Sequence, residues 1–256
     1  MRSENCLVFE IDETEEIYKM KEIDFAYLPI IGRGEQIHLI CAMHGIKLNM
    51  LNSTPMGNDF QLGTDSLFGT VPWMEDKSNG LILNDSMAIV QYLVSKYEGK
   101  LTPSTQEESA MVANLWAWSN DYYSFVLSPL HDIITGHSEA FWRNLRLTDT
   151  LHEGGKELAL KNLIVLHDKR VAFLESHLQN CAISDFMVNG KCSYADIFLY
   201  TCVRAVERCP GYGEFRDLYG AEPFNNRENI LRVCDSVAAI DEVIQAVGTK
   251  FDDCPI

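Results

Sequence analysis

The sequence predicts two unlike halves: a small α/β layer on a mixed four-stranded sheet, then an all-helical half. Three observations carry this reading. Short apolar runs punctuated by turn residues fill the first hundred positions. Long stripes at three- and four-residue spacing fill the rest. Leu101-Thr102-Pro103 forms a natural linker between them.

Taken in order, residues 1–20 are charged and poorly patterned and read as an N-terminal extension. Residues 23–29 (IDFAYLP) read as a strand that ends in proline, followed by Gly-Arg-Gly at 32–34, where the glycines let the chain turn into a helix. That helix begins near Gly34, carries Ile37, Ile40, Cys41 and His44 on one face, and stops at Gly45. IKLNML (46–51) alternates like a second strand, and 52–70, rich in Asn, Ser, Thr, Gly and Asp, reads as an irregular loop. VPWMED and GLILND flank Lys77-Ser78-Asn79-Gly80, whose Asn-Gly pair is a hairpin signal. A helix follows from about Ser86 towards Gly99. Beyond the linker, one stripe is Met111, Leu115, Trp118, Tyr122 and Phe125. A second is Leu160, Leu163, Ile164, His167, Val171, Leu174 and Leu178. A third is Ile230, Val233, Val237, Ile240, Ile244 and Val247. No convincing strand appears after 103, and there is no fixed-period repeat.

The 256 residues are 46% apolar, enough for a sizeable core. A formal net charge of −16 argues against nucleic acid or anionic membranes as partners, because both reward basic clusters. The eight cysteines make no Cys-x-x-Cys pair, and Cys41 and Cys234 fall in helical apolar patterns, where a thiol behaves as a small hydrophobe. The N-terminus lacks the apolar core of a signal peptide, and no apolar run approaches the ~18 residues of a membrane span. A cytoplasmic location is the expectation. None of the histidines has metal-ligand spacing with a second clear ligand, so no metal is expected.

Three features carry chemistry. Gly32-Arg33-Gly34 lacks the third glycine of a dinucleotide fingerprint and the Lys-Ser/Thr of a phosphate loop. A strand-to-helix turn of this kind can hold an anion, yet it opens on the hydroxyl of Tyr27. Thr70-Val71-Pro72 places a proline at a strand entry, where it is either an ordinary trans loop proline or a cis one that leaves the Val71 backbone free for a ligand. Asn84-Asp85-Ser86 precedes a helix. Asp85 or Ser86 makes a good N-cap there, and the same helix end can bind a carboxylate.

Together, Tyr27-x-Pro-x-x-Gly32-Arg33, Val71-Pro72, Leu83-Asn84-Asp85-Ser86-Met87-Ala88-Ile89 and Ser193-Tyr194-Ala195-Asp196 resemble the cytosolic glutathione transferases of the tyrosine type, with the pi, sigma, alpha and mu classes as the nearest patterns. The resemblance spans residues 23 to about 248. It implies a thioredoxin-like glutathione-binding domain over 23–101 and an all-helical domain over 106–256 that contributes the electrophile site, after an extension over 1–22. It implies an enzyme that uses glutathione as co-substrate, activating its thiolate for conjugation to a small hydrophobic electrophile, in a homodimer. A non-catalytic ligand-binding or structural protein on the same fold is the alternative.

The resemblance makes Tyr27 the donor to the thiolate and Arg33 the nearby charge. Val71 pairs with the cysteinyl backbone and Pro72 fixes its geometry. Ser86, with the helix end and Asp85, holds the γ-glutamyl group, and Thr70 adds a weaker contact. Asp121 reaches the γ-glutamyl amine of a dimer partner. Residues of the Trp116–Phe125 helix would line the electrophile pocket. Three positions depart from the family pattern. Ile31 stands where many relatives carry arginine, and Asp85 is one methylene shorter than the usual glutamine or glutamate. The loop 52–70 contains no Lys, Arg or Trp to hold the glycyl carboxylate, so weaker glutathione binding is expected. The long segment 131–157 reads as a surface insertion, with a lid over the electrophile site as the other possibility.

Overall fold

The computed structural model describes residues 21–27, 30–51, 70–135, 155–180, 184–209 and 212–247. The extension 1–20, Leu28-Pro29, most of the 52–70 loop and most of the 131–157 segment lie outside the described residues.

The first half is a four-stranded sheet in the order β2-β1-β3-β4, with β1 at Glu22–Ala26, β2 at Lys47–Leu51, β3 at Trp73–Asp76 and β4 at Leu81–Asn84. β1 runs parallel to β2 and antiparallel to β3, which is antiparallel to β4. Ile23 and Phe25, two apart on β1, are fully buried, as the period-two alternation demands. Helix α1 (Arg33–Met43) links β1 to β2, and α2 (Ser86–Lys96) follows β4.

The hairpin is held from one residue. Asp76 Oδ1 accepts from the Ser78 backbone and hydroxyl at 2.8 and 2.6 Å, while Tyr92 of α2 donates to Oδ2 at 2.8 Å and Lys96 also bonds there. Gly80 turns with φ +71, a value that favours the glycine of the predicted Asn-Gly pair. Burial alone would raise the Asp76 pKa, but Lys96, Ser78 and Tyr92 together hold it at about 2. α2 buries Ile89, Val90, Leu93 and Val94 on one face.

The second half is helical throughout its described residues: α3 (Gln106–Tyr122), a π-helical turn (Tyr123–Leu127), α4 (Ser128–Thr135), α5 (Gly155–Asn180), α6 (Tyr194–Arg208), α7 (Gly213–Tyr219), α8 (Glu228–Ala238) and α9 (Asp241–Ala246). α6 is buried on nearly every side and forms the centre of this half. Its start is the predicted capping box: Asp196 Oδ2 accepts from the Ser193 backbone at 2.8 Å and its hydroxyl at 2.6 Å, and Oδ1 accepts from the Met187 backbone at 2.8 Å.

Two predicted stripes needed correction. Phe125 is 51% exposed and Met111 43%, while Val112, Leu115, Trp116, Tyr122, Val126 and Leu127 are buried. The buried row Val112, Leu115, Ser119, Tyr122 and Val126 keeps the ordinary three- and four-residue spacing and leaves Met111 and Phe125 one position off it, on the outside. The third stripe is not one helix. The chain breaks at Ala239-Ile240, and the second piece turns Val243 and Ala246 inward while Ile244 is 57% exposed. The α5 stripe is buried at Leu160, Leu163, His167, Val171, Leu174 and Leu178, as the spacing predicts.

The two halves meet on α1, which packs on both α6 and α9. Its first turn carries two buried polar residues. Glu35 pairs with Arg204 of α6, both nearly inaccessible, and Gln36 Oε1 accepts from the Trp116 indole at 2.8 Å. Ion pairs of this kind are costly to assemble and more costly to break singly.

Candidate active site at one end of the sheet

Sheet register gathers the candidate residues. Ala26 is bonded to Trp73, and Trp73 to Asn84, across three neighbouring strands. Because β3 is antiparallel to both neighbours, the end of β1, the start of β3 and the end of β4 lie at one edge. Tyr27 leaves the sheet there, Thr70-Val71-Pro72 enters, and Asp85-Ser86 leaves. The Val71-Pro72 peptide is cis, which settles the two readings left open by the sequence. Asn84 Nδ2 donates to the Thr70 carbonyl at 2.9 Å and ties that segment to β4.

Asp85, not Ser86, is the N-cap of α2: its carboxylate accepts from the Met87 backbone at 2.8 Å. It does so at φ +73, a conformation that non-glycine residues adopt at a cost of order 1–3 kcal/mol and that gathers at functional sites. Ser86 is the first helical residue and is buried.

Tyr27 is only 5% exposed. Its ring lies flat against the first turn of α1, so closely that a Cβ on Gly34 would fall 2.1 Å from the ring. A Cβ on Gly32 would meet the Tyr27 and Tyr123 hydroxyl oxygens at 2.7 and 2.6 Å. This corrects the reading of the glycines. Gly32 has φ −174, extended backbone open to any residue, so turning the chain is not what requires it. What the Gly-Arg-Gly sequence provides is space for two phenols.

Those phenols cap the helix. Gly32 is the N-cap of α1 and has no side chain to bond the first free N–H groups. Instead the Tyr27 and Tyr123 hydroxyls sit side by side at this helix end, next to the Gly34 and Arg33 N–H groups. Burial pushes the Tyr27 pKa well above 10, its Tyr123 neighbour adds to this, and the Gly34 N–H and the Arg33 charge oppose it. Burial raises the Tyr123 pKa as well, opposed by Tyr27 and Arg33. Both therefore carry their protons at neutral pH and serve as hydrogen-bond donors, not bases.

Arg33 stands over this pair. Its guanidinium lies 5.0 Å from the Tyr123 ring centroid, and Nη2 donates to Ser124 Oγ at 2.7 Å. Among the described residues the buried Nε has no hydrogen-bond partner. A buried donor of this kind is costly unless a ligand or water meets it.

Asp121 does not join the cluster. It is exposed on α3, its carboxylate 3.8 Å from Arg170, whose guanidinium in turn covers the Phe125 ring at 4.9 Å. Of the helix expected to line the pocket, Trp116 is spent on the junction with Gln36 and Phe125 lies outside. Tyr123 is the residue that reaches the sheet end, and the sequence reading did not single it out. The helical stripe put Tyr122 on the buried face, as the structure does, and carried no signal for Tyr123.

Among the described residues no group of three His, Cys, Asp or Glu side chains is placed to hold a metal, and no helix is long and apolar enough to cross a membrane. Five described cysteines (41, 192, 202, 209 and 234) are buried, and no disulfide joins them to one another.

No protein-family model and no curated protein matches the chain. Solved structures do. A glutathione S-transferase from Ascaris lumbricoides is 22% identical, covering 88% of this chain and 95% of its own at a TM-score of 0.64. Rat hPGDS complexed with a quinoline is 19% identical, with 90% and 97% covered at 0.65. A glutathione S-transferase from Methylobacterium radiotolerans in complex with glutathione sulfonate is 13% identical, with 88% and 94% covered at 0.63. At these identities the likeness is one of fold: a thioredoxin-like half followed by an all-helical half.

Proposed function

We propose that the chain is a glutathione transferase, which ionises the glutathione thiol and delivers it to a small hydrophobic electrophile. The observation that carries this is the convergence at one sheet end of Tyr27, Arg33, the cis Val71-Pro72 pair and the strained Asp85-Ser86 cap. A neighbour of the same fold holds glutathione sulfonate, which supports the ligand class.

In this reading the backbone of Val71 pairs with the cysteinyl residue of glutathione, with Pro72 fixing its geometry. Ser86, Asp85 and the N-terminus of α2 hold the γ-glutamyl end, with Thr70 beside them. The thiol lies near pKa 8.5 when free, and its proton is released to solvent. Lowering that value by about two units needs about 2.7 kcal/mol of preference for the thiolate. One hydrogen bond to a charged group is worth ~1.5–3 kcal/mol, so a tyrosine donor helped by Arg33 accounts for the shift. The sulfur lone pair then attacks the electrophilic carbon. A C–S bond forms as the leaving group departs with its electron pair, or, in an addition, as the new anion takes a proton from water. The sheet half (23–101) binds glutathione and the helical half (106–256) supplies the electrophile pocket. Asp121 acts only in a homodimer, where it meets the partner's γ-glutamyl amine. The lack of Lys, Arg and Trp in the 52–70 loop makes binding weaker than a gripped glycyl carboxylate would allow.

The test is conjugation of glutathione to a generic aryl halide by the wild type and Tyr27→Phe. Activity that falls at least tenfold in the variant, roughly one lost charged hydrogen bond, is expected. An inactive wild type that still holds glutathione would instead favour a ligand-binding protein, and an equally active variant would remove Tyr27 from the mechanism.

A further inference from the structure

Arg33 belongs to the sheet half, but what holds its guanidinium belongs to the helical half. Nη2 donates to Ser124 Oγ at 2.7 Å, and the Ser124 hydroxyl donates onward to the Asn120 carbonyl at 2.7 Å. The guanidinium also lies 5.0 Å from the Tyr123 ring centroid. Two consecutive residues thus make a two-point seat. Both fall in the π-helical turn, a form of helix found often at functional sites. The Ser124 hydroxyl has one proton and the Asn120 carbonyl takes it, so towards Arg33 the oxygen only accepts.

The seat is neutral. Among the described residues Arg33 forms no ion pair, and Glu35, two residues on, is taken up by Arg204. The titratable groups that face Arg33 are Tyr27, Tyr123 and the Cys202 thiol of α6. Burial pushes all three up, so each is uncharged at neutral pH. Nε has no hydrogen-bond partner among the described residues. A serine oxygen aligns one guanidinium N–H through a charge-assisted bond, whereas a carboxylate in its place would cancel the charge it aligned.

We infer that Ser124 is a positioning residue for the reaction: its hydroxyl, beside the Tyr123 ring, fixes the Arg33 guanidinium at the sheet end and leaves its charge uncancelled for the glutathione sulfur. This rests on the reading of Arg33 as the charge beside the thiolate, with Tyr27 as the donor. Ser124 touches neither glutathione nor the electrophile, and no proton moves to or from it. Its part is to stop the guanidinium from swinging away, so that the charge acts at a fixed place. The helical half then acts on the thiol as well as on the electrophile, through one hydroxyl that reaches across to α1.

The experiment follows the ultraviolet absorbance of the bound thiolate as a function of pH in the glutathione-saturated full chain. Wild type, Ser124→Ala, Ser124→Thr, Arg33→Gln and the double variant Arg33→Gln, Ser124→Ala are compared, with the melting temperature of each as a check on folding. Ser124→Ala is expected to raise the bound thiol pKa by about half a unit, roughly a threefold loss of thiolate at a fixed lower pH. Ser124→Thr keeps the hydroxyl and should return the wild-type value. In the Arg33→Gln background Ser124→Ala should add nothing, because the hydroxyl acts only through the guanidinium. A thiol pKa that rises in Arg33→Gln but stays at the wild-type value in Ser124→Ala overturns the inference, and a lower melting temperature would then make Ser124 a structural residue. A Ser124→Ala shift of the same size with and without Arg33 overturns it too, since the hydroxyl would then act by another route. Absence of bound thiolate in the wild type, or a thiol pKa that Arg33→Gln leaves unmoved, overturns the underlying reading of Arg33 instead, and the inference with it.

Discussion

Tyr122 and Tyr123 are neighbours in sequence and belong to different worlds. The Tyr122 hydroxyl donates to His167 Nδ1 at 2.8 Å, and His167 Nε2 donates to the Pro223 carbonyl at 2.9 Å, inside a ring of Phe215, Tyr219 and Phe224. The carbonyl can only accept, so the imidazole tautomer is fixed and every atom in the chain of bonds has its partner. Tyr123 points the other way, to the Tyr27 hydroxyl beside Gly32, where Arg33 Nε has no partner among the described residues and a strained cap lies at the same sheet end. The first arrangement holds the fold; the second lies at the proposed ligand site. Satisfied polar networks rigidify a core, and incomplete ones mark the places where a protein meets something else.

The largest effect is expected at the junction of the halves. Arg204→Met strands the Glu35 carboxylate in the interior and should cost about 3–5 kcal/mol in urea unfolding. The double variant Glu35→Leu, Arg204→Met should recover most of that. A single variant as stable as wild type would mean that the pair contributes nothing to holding the halves together.

The two tyrosines themselves come next. Tyr122→Phe leaves His167 Nδ1 as a buried acceptor without a donor and should cost about 1–3 kcal/mol, with little effect on bound thiolate. Tyr123→Phe should cost no more than about 1 kcal/mol, the worth of one ordinary hydrogen bond. Equal costs in the two variants would erase the contrast.

The Tyr122–His167 network also carries a pH signature. Burial holds the His167 pKa below 6.5, with its bond to the Pro223 carbonyl opposing this. Its contribution is fully present above 6.5 and is lost as pH falls from there through the folded value, because only the unfolded chain then takes up the proton freely. The melting temperature should drop between pH 7.5 and 5.5, and less so in His167→Gln. Half-buried His44, whose pKa burial also lowers, acts with the same sign and sets what remains in the variant. An identical drop in both proteins would exclude His167 as the cause.

The smallest effect is expected at Asp85. Asp85→Gly relieves the positive φ and gives up a cap for which glycine is nearly as good, so stability should rise by about 0.5 kcal/mol. Glutathione binding should nevertheless weaken. A variant that gains stability without losing affinity would show that the strain serves no ligand.

Most of the fold was legible because its signals are local. The Asn79-Gly80 turn, the cap before α2, the Ser193–Asp196 box and the α5 stripe each lie within a few residues, where period and propensity act. What escaped is what no short window contains. Two rows at helical spacing were open to α3, and the neighbouring half took the one through Tyr122 and Val126 and left Met111 and Phe125 outside, while the break at Ala239-Ile240 reversed Ile244 and Val243. Glu35 and Gln36 look like surface residues of a first turn until Arg204 and Trp116 arrive from the other half. The candidate site divided in the same way. Tyr27, Arg33, Val71-Pro72 and Asp85-Ser86 could be found by their order and spacing, and sheet register then placed them together. Tyr123 could not, because its tie to Tyr27 is a long-range contact with no pattern in the chain between them.

The junction on α1 has an evolutionary consequence. The linker at 101–103 looks like a seam at which one module could be exchanged for another, yet the helix that presents Arg33 is anchored by a carboxylate and an amide whose partners lie across that seam. A chimaera that grafts a foreign helical half onto this sheet would inherit a buried anion with no cation, directly behind the turn that must be held still. Exchange of halves is therefore restricted to donors that bring a matching arginine and indole, or to recipients that first make Glu35 and Gln36 apolar.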